Sequence, residues 1–195
     1  EAFSNLKGDV LNYAKVMASY VRVGNDGGIN PYAINNPLAQ APGFPYEQSG
    51  NSFITPNGYT NSLIKPEFTT SLEAGVNLGF LKDRLTLDAT YYSFNTTDLI
   101  TNISTSNAAG ISGLRTNIGE MEGWGTEINL GVKPIKTEDF GWNLNLGFTK
   151  NYSELVKLTD QLSETSLGGY TGFAEVFAVE GEQFPTLKGT GFARD

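Results

Sequence analysis

A strict alternation of apolar and polar residues, kept up over runs much longer than an ordinary strand, constrains this chain more than any other feature. The even positions read Phe68, Thr70, Leu72, Ala74, Val76, Leu78 and Phe80, while the odd ones read Glu67, Thr69, Ser71, Glu73, Gly75, Asn77 and Gly79. A period of two places the first set on one face of a β-strand and the second on the other. Trp124, Thr126, Ile128, Leu130 and Val132 repeat the pattern against Gly125, Glu127, Asn129, Gly131 and Lys133. So do Phe140, Trp142, Leu144, Leu146 and Phe148 against Gly141, Asn143, Asn145, Gly147 and Thr149. In 84–95 the apolar set moves to Leu85, Leu87, Ala89 and Tyr91, and a weaker run, Ala14, Val16, Ala18 and Tyr20, lies near the start. With their flanks these runs reach roughly 9–11 residues, where strands of soluble proteins average about 5–6. A strand tilted across a bilayer needs about 9–11, so length favours membrane-spanning strands over a long-stranded soluble sandwich.

The polar faces point the same way. They carry Gly and Asn with few charges, and only 17% of the 195 residues are charged, below the roughly 25% of soluble domains. A wide, water-filled barrel interior asks for small polar groups and little packing. A soluble sheet would want its wet face charged.

Composition removes several function classes. The chain has no Cys and no His, which excludes disulfide scaffolds, thiolate and imidazole catalysis, and zinc-thiolate sites within it. A net charge of −8 with no basic cluster gives nothing to neutralise a phosphate backbone, so no nucleic-acid partner is expected. No apolar run approaches the roughly 18 residues of a membrane helix. That leaves a β-barrel untouched, because barrel strands signal far more weakly.

The connections alternate in length. Some forty residues rich in Gly, Asn and Pro, a long loop at about 24–62, separate the first strand (about 12–23) from the second (about 65–80). A tight turn at Lys82-Asp83 leads to a third strand (about 84–102), and a medium loop, Ser104 to Gly113, to a fourth (about 115–133). A short turn, Pro134 to Asp139, precedes a fifth (about 140–152). Antiparallel membrane barrels have short periplasmic turns and longer outer loops. On this reading Lys82-Asp83 and 136–139 face the periplasm, and 24–62 and 104–113 face outside. Phe68, Phe80, Tyr91, Tyr92, Phe94, Trp124, Phe140, Trp142, Phe148 and Tyr152 gather at strand ends. They suit interfacial girdles equally with the cross-strand core of a soluble sheet. After 153 Leu155, Leu158 and Leu162 fit a helical spacing, while Tyr152, Glu154, Val156 and Leu158 continue the alternation; the fifth strand is expected to run on into a loop, with one short strand near Glu175 to Val179.

Several segments together resemble a known family. Lys15 to Asp26 (KVMASYVRVGND), Ile64 to Gly75 (IKPEFTTSLEAG) and Arg84 to Ile100 (RLTLDATYYSFNTTDLI), then Asn117-Ile-Gly119, Gly125-Thr-Glu127-Ile, the Trp142 strand and Glu180-Gly-Glu182, are similar to the C-terminal barrel of SusC/RagA-type TonB-linked outer-membrane transporters. Met17 stands where the family commonly has Arg, and Glu122-Gly123-Trp124 replaces a more usual Asn-Lys-Gly. The resemblance implies an all-β, antiparallel up-and-down transmembrane β-barrel of which residues 1–195 are an incomplete segment of about 5–8 strands. It also implies a bacterial outer-membrane location, uptake of glycans, oligosaccharides or peptides, a SusD-like surface lipoprotein over the outer mouth, and TonB acting through the N-terminal region of the parent. No cofactor is implied and no catalysis.

Other motifs have plainer readings. Pairs such as Glu67 with Glu73 or Glu120 with Glu122 are water-facing carboxylates rather than a hydrolytic pair, since nothing in their spacing selects one. Asn25-Asp26-Gly27 lacks the downstream spacing of a calcium loop and reads as a turn. Asn95, Asn102 and Asn151 open glycosylation tripeptides that are common by chance. Gly168-Gly169 lacks the Lys-Ser/Thr of a phosphate loop. Tyr32, Phe44, Tyr46, Phe53 and Tyr59 in the long loop are candidates for contact with a sugar ring or a lid protein, or for packing the loop on itself. Leu72, Val76, Leu78, Leu130, Leu144 and Leu146 are expected to form one lipid-facing band. The competing architecture, a soluble β-sandwich that binds carbohydrate or acts as an adhesin, would bury these six against a second sheet.

Overall fold

The computed structural model describes residues 8, 10–47, 50–159, 162–168 and 173–191. Its strands are β1 (Leu11–Asn25), β2 (Ala39–Gln40), β3 (Phe53–Ile54), β4 (Gly58–Thr60), β5 (Glu67–Phe80), β6 (Leu85–Thr97), β7 (Ile100–Ser104), β8 (Gly113–Asn117), β9 (Glu120–Lys136), β10 (Gly141–Lys157), β11 (Glu164–Gly168), β12 (Ala174–Val179) and β13 (Thr186–Gly189). Two 3-10 turns, Ala33–Asn35 and Asn107–Ala109, are the helical elements among the described residues. The all-β, antiparallel, incomplete barrel architecture is therefore what forms.

Two compact units divide the chain, and the division falls inside each of β1, β5, β6, β9 and β10. The wall unit takes residues 1–22, 70–95 and 122–153, and the outer unit 23–69, 96–121 and 154–195.

The wall unit is built on one five-stranded sheet in the order β1-β5-β6-β9-β10, a meander whose edges are β1 and β10. Its members run 13 to 17 residues, lengths that follow from the long alternation. The turn between β5 and β6 holds Leu81, Lys82 and Asp83 in succession at φ 51, 58 and 60. Three left-handed residues without a glycine are costly, and backbone bonds support them. Leu81 N–H donates to Val10 O at 2.8 Å and Lys82 N–H to the Asn12 side chain.

The outer unit holds the small sheets. β2 pairs with β3, and β11-β12-β13 and β4-β8-β7 form three-stranded sheets. β4 and β8 run parallel, a local exception to the antiparallel rule. Ile118, Leu155, Leu158 and Ala178 are buried as one cluster with Ile103 and Phe184 against it.

Several expected boundaries move. The third strand (84–102) is two strands, β6 and β7, because Asp98 adopts φ 55 and breaks the run. The carbonyl of Asp98 is then taken by Asn117 Nδ2 at 2.7 Å. The fourth strand (115–133) is likewise split into β8 and β9 at Gly119, φ 86, where a Cβ would lie 2.5 Å from Lys157 O. The turn expected at 134–139 shrinks, since β9 runs through Lys136 and Thr137 closes the hairpin by bonding Phe140. β10 does continue past 152, to Lys157, and β12 matches the short strand near 175–179. The expected loop around it also supplies β11 and β13, which sequence reading missed.

Candidate functional site

The wall unit presents two chemically opposite faces. On the apolar face Leu72 (53% exposed), Leu144 and Leu146 (52%) are open to the surroundings, and Val76, Leu78 and Leu130 are half-buried. None of the six is buried, so none packs beneath a second sheet. On the same face Tyr91 stacks on Trp124 with ring centroids 6.4 Å apart, and Trp124 lies 6.3 Å from Tyr152. Lys150 Nζ sits 5.4 Å above the Trp124 ring, a cation–π pairing on a side chain long enough to carry its charge out of an apolar layer. From Trp142 to Tyr152 the strand advances about ten residues at about 3.4 Å each. Tilted at about 35–45°, that spans close to the roughly 25 Å of a barrel's apolar band.

The opposite face is polar. Asn77 Nδ2 donates to Asp88 Oδ1 at 2.6 Å between neighbouring strands. Here Tyr92 and Phe94 depart from the girdle role considered for them, because they lie over glycines of the polar face. A Cβ on Gly123 would meet the Phe94 ring and Tyr152 O at 2.6 Å, and one on Gly125 would run into the Tyr92 ring. Gly75, Gly79, Gly123 and Gly125 are the buried residues of this unit among those described. These glycines are therefore packing positions rather than open lumen lining, and the alternating pattern alone gave no sign of it.

In the outer unit the recognised motifs converge on one hydrogen-bond cluster. Glu67 accepts from Asn25 Nδ2 at 2.6 Å and from Ile100 N–H at 3.0 Å. Asn117 accepts from Lys65 N–H through Oδ1 and donates to Lys65 O through Nδ2, both at 2.7 Å. Leu158 N–H donates to Glu180 Oε2 at 3.1 Å, and Gly181 N–H to Leu155 O at 2.8 Å. The Lys-Pro-Glu, Asn-Ile-Gly and Glu-Gly-Glu segments thus tie the strand ends together. With its carboxylate committed in this way, Glu67 acts as a tether. Asn25 and Asp26 accept from Gly27 N–H (3.2 Å) and Gly28 N–H (3.0 Å), two successive Asx turns, as the turn reading expects.

The loop aromatics separate. Tyr32 (82% exposed), Phe44, Tyr46 and Phe53 are exposed, and Tyr59 is half-buried. Of the five, Tyr59 lines a cleft of about 430 Å³ with Asn57, Gly58, Thr60, Asn102, Ser112, Gly113 and Arg115. Sequence alone marks Asn102 only as a chance glycosylation tripeptide and Arg115 not at all, and the pairing of β8 with β4 and β7 brings both into one cleft with Tyr59.

Comparison with known proteins gives a consistent answer. The family described as TonB dependent receptor-like, beta-barrel, matches residues 11–187. TonB-dependent receptor P39 of Formosa agariphila is 33% identical over 162 residues, 82% of this chain and 15% of that protein. TonB-dependent receptor SusC of Bacteroides thetaiotaomicron is 34% identical over 139 residues, 70% of this chain and 14% of that protein. The chain thus spans about one seventh of the length of these curated relatives. The solved structure of the RagAB peptide transporter shares the fold, with a TM-score of 0.77 over 92% of this chain and 19% of that one, at 17% identity. The chain belongs to the TonB-dependent receptor family and is a portion of a SusC/RagA-type receptor barrel.

Proposed function

We propose that this chain forms part of the wall and outer face of an outer-membrane importer. The parent receptor takes up glycans, oligosaccharides or peptides too large to diffuse through porins, under a SusD-like surface lipoprotein and driven by TonB through its N-terminal region. The observation that carries the reading is the five-stranded meander with its leucine-lined face uncovered, in a chain whose family is barrel-forming. Acyl chains against Leu72, Val76, Leu78, Leu130, Leu144 and Leu146 give that face the burial no protein layer supplies. The polar face lines the passage, and Tyr32, Phe44, Tyr46, Phe53 and Tyr59 in the segment between β1 and β5 meet the lipoprotein or the substrate. No bond is made or broken by this segment.

The chain has no cysteine, so single cysteines report cleanly from within it. In outer-membrane vesicles carrying the whole receptor, a nitroxide on Val76→Cys should be relaxed by dissolved oxygen and shielded from a water-soluble nickel complex, with the reverse at Asn77→Cys. Equal access of the nickel complex to both would sink the wall reading. Uptake of a labelled oligosaccharide or peptide should stop on adding a protonophore, and persistence of uptake would remove TonB from the scheme.

A further inference from the structure

We propose that the outer cleft around Arg115 is a carboxylate-recognising subsite for the imported ligand, an inference that rests on the importer reading above. The register of three strands builds it. Thr60 pairs with Arg115 across β4 and β8, and Arg115 with Asn102 across β8 and β7, so the three side chains share one sheet face in a row. The next row, Gly58 with Gly113 and Ser104, keeps that face low. A Cβ on Gly58 would meet nothing within 4 Å, and one on Gly113 only Ile103 O at 3.7 Å. Tyr59 and Ser112 complete the rim of the cleft.

Arg115 supplies the chemistry. It is half-buried, and its guanidinium donates to Gly27 O, a neutral backbone acceptor. Among the described residues no carboxylate pairs with it, although the protein carries 21 acidic side chains. A guanidinium has five N–H donors in a planar fork that matches a carboxylate, and a partly desolvated charge left without a counter-ion is unfavourable. The Asn102 amide, also without a hydrogen-bond partner among the described residues, is placed to hold a neighbouring hydroxyl or amide group. An acidic sugar unit and the C-terminus of a peptide both present a carboxylate beside such groups.

Titration calorimetry on the whole receptor in detergent tests this, with trigalacturonate and N-acetyl-trialanine each set beside a neutral twin, the methyl ester and the amide. One acid should bind at least about tenfold more tightly than its twin, the scale of a charge-assisted pair, and which one it is identifies the source. Arg115→Gln, which can still donate to Gly27 O, should erase that preference. Asn102→Ala should weaken acid binding severalfold and leave thermal unfolding unchanged. Absence of binding by both acids, equal binding of an acid and its twin, or a preference that survives Arg115→Gln would each overturn the subsite. Should Arg115→Gln lower the melting temperature, Asn102→Ala decides the question, and undiminished acid binding in that variant overturns it. TonB-dependent uptake of the preferred acid, unchanged by Arg115→Gln, would refute the subsite while leaving the importer reading intact. Absence of the receptor from the outer membrane would refute that reading instead.

Discussion

The wall unit and the outer unit share five strands and solve opposite solvation problems. In the outer unit the buried set includes Ala41, Ile118, Leu155, Leu158 and Ala178, an ordinary apolar core in miniature. In the wall unit the buried residues among those described are all glycines, while Leu72, Leu144, Leu146, Phe148 and Trp142 stand exposed. Water drives the first arrangement, and it would penalise the second heavily. The difference teaches that one alternating pattern carries two meanings, set by what lies on the apolar side: protein in the outer unit, and no protein layer among the described residues along the wall.

The largest expected effect is in the outer unit. Leu155 is 1% exposed, so Leu155→Ala should cost about 2–5 kcal/mol locally. Lost amide protection across 154–159 and 174–189, with the wall strands still protected, is the expected exchange pattern. Uniform loss along the wall would dissolve the distinction between units. Next, Val76→Arg should destabilise the receptor by about 2–4 kcal/mol in lipid vesicles if it lies near mid-bilayer. A urea titration showing no change would place that face in water. Third, Gly125→Ala drives a methyl into the Tyr92 ring and should cost about 1–3 kcal/mol. Tyr92→Ala in the same molecule should relieve it, and simple additivity would show that the ring does not pack there. The smallest effect concerns the β5–β6 turn, where Lys82→Gly removes one of three left-handed residues and should add about 0.5–1 kcal/mol. A loss of stability by the same titration would mean that the lysine stem contributes more than the strain removes.

Much of the wall was legible because period two survives any amount of surrounding variation. Phe68 to Phe80 and Phe140 to Phe148 needed no partner to reveal their faces, and the continuation of β10 to Lys157 followed from Tyr152, Glu154 and Val156. What was illegible depends on single backbone angles or on distant pairing. Asp98 and Gly119 each break a strand with one left-handed residue, a change that leaves the neighbouring hydropathy almost untouched. β11 and β13 are too short, at 5 and 4 residues, for alternation to stand out. The Arg115 cleft joins residues 57–60 to residues more than forty positions later, through a parallel pairing that no local signal encodes. Tyr92 and Phe94 fit a girdle as well as a packed sheet in sequence, because aromatic content alone does not say which face a ring occupies. The glycines opposite them held the missing half of the information.

Those covered glycines also bear on how the polar face can change over generations. A position whose missing side chain is filled by a neighbour's ring cannot acquire a new functional group without expelling that ring. Gly123 and Gly125 are therefore closed to substitution by geometry, and any drift in the polar face must use residues such as Glu127, Asn129 and Asn145. New chemistry on that face would then arise by exchanging amides and acids between fixed ribs, in the way a loom changes its weft and keeps its warp.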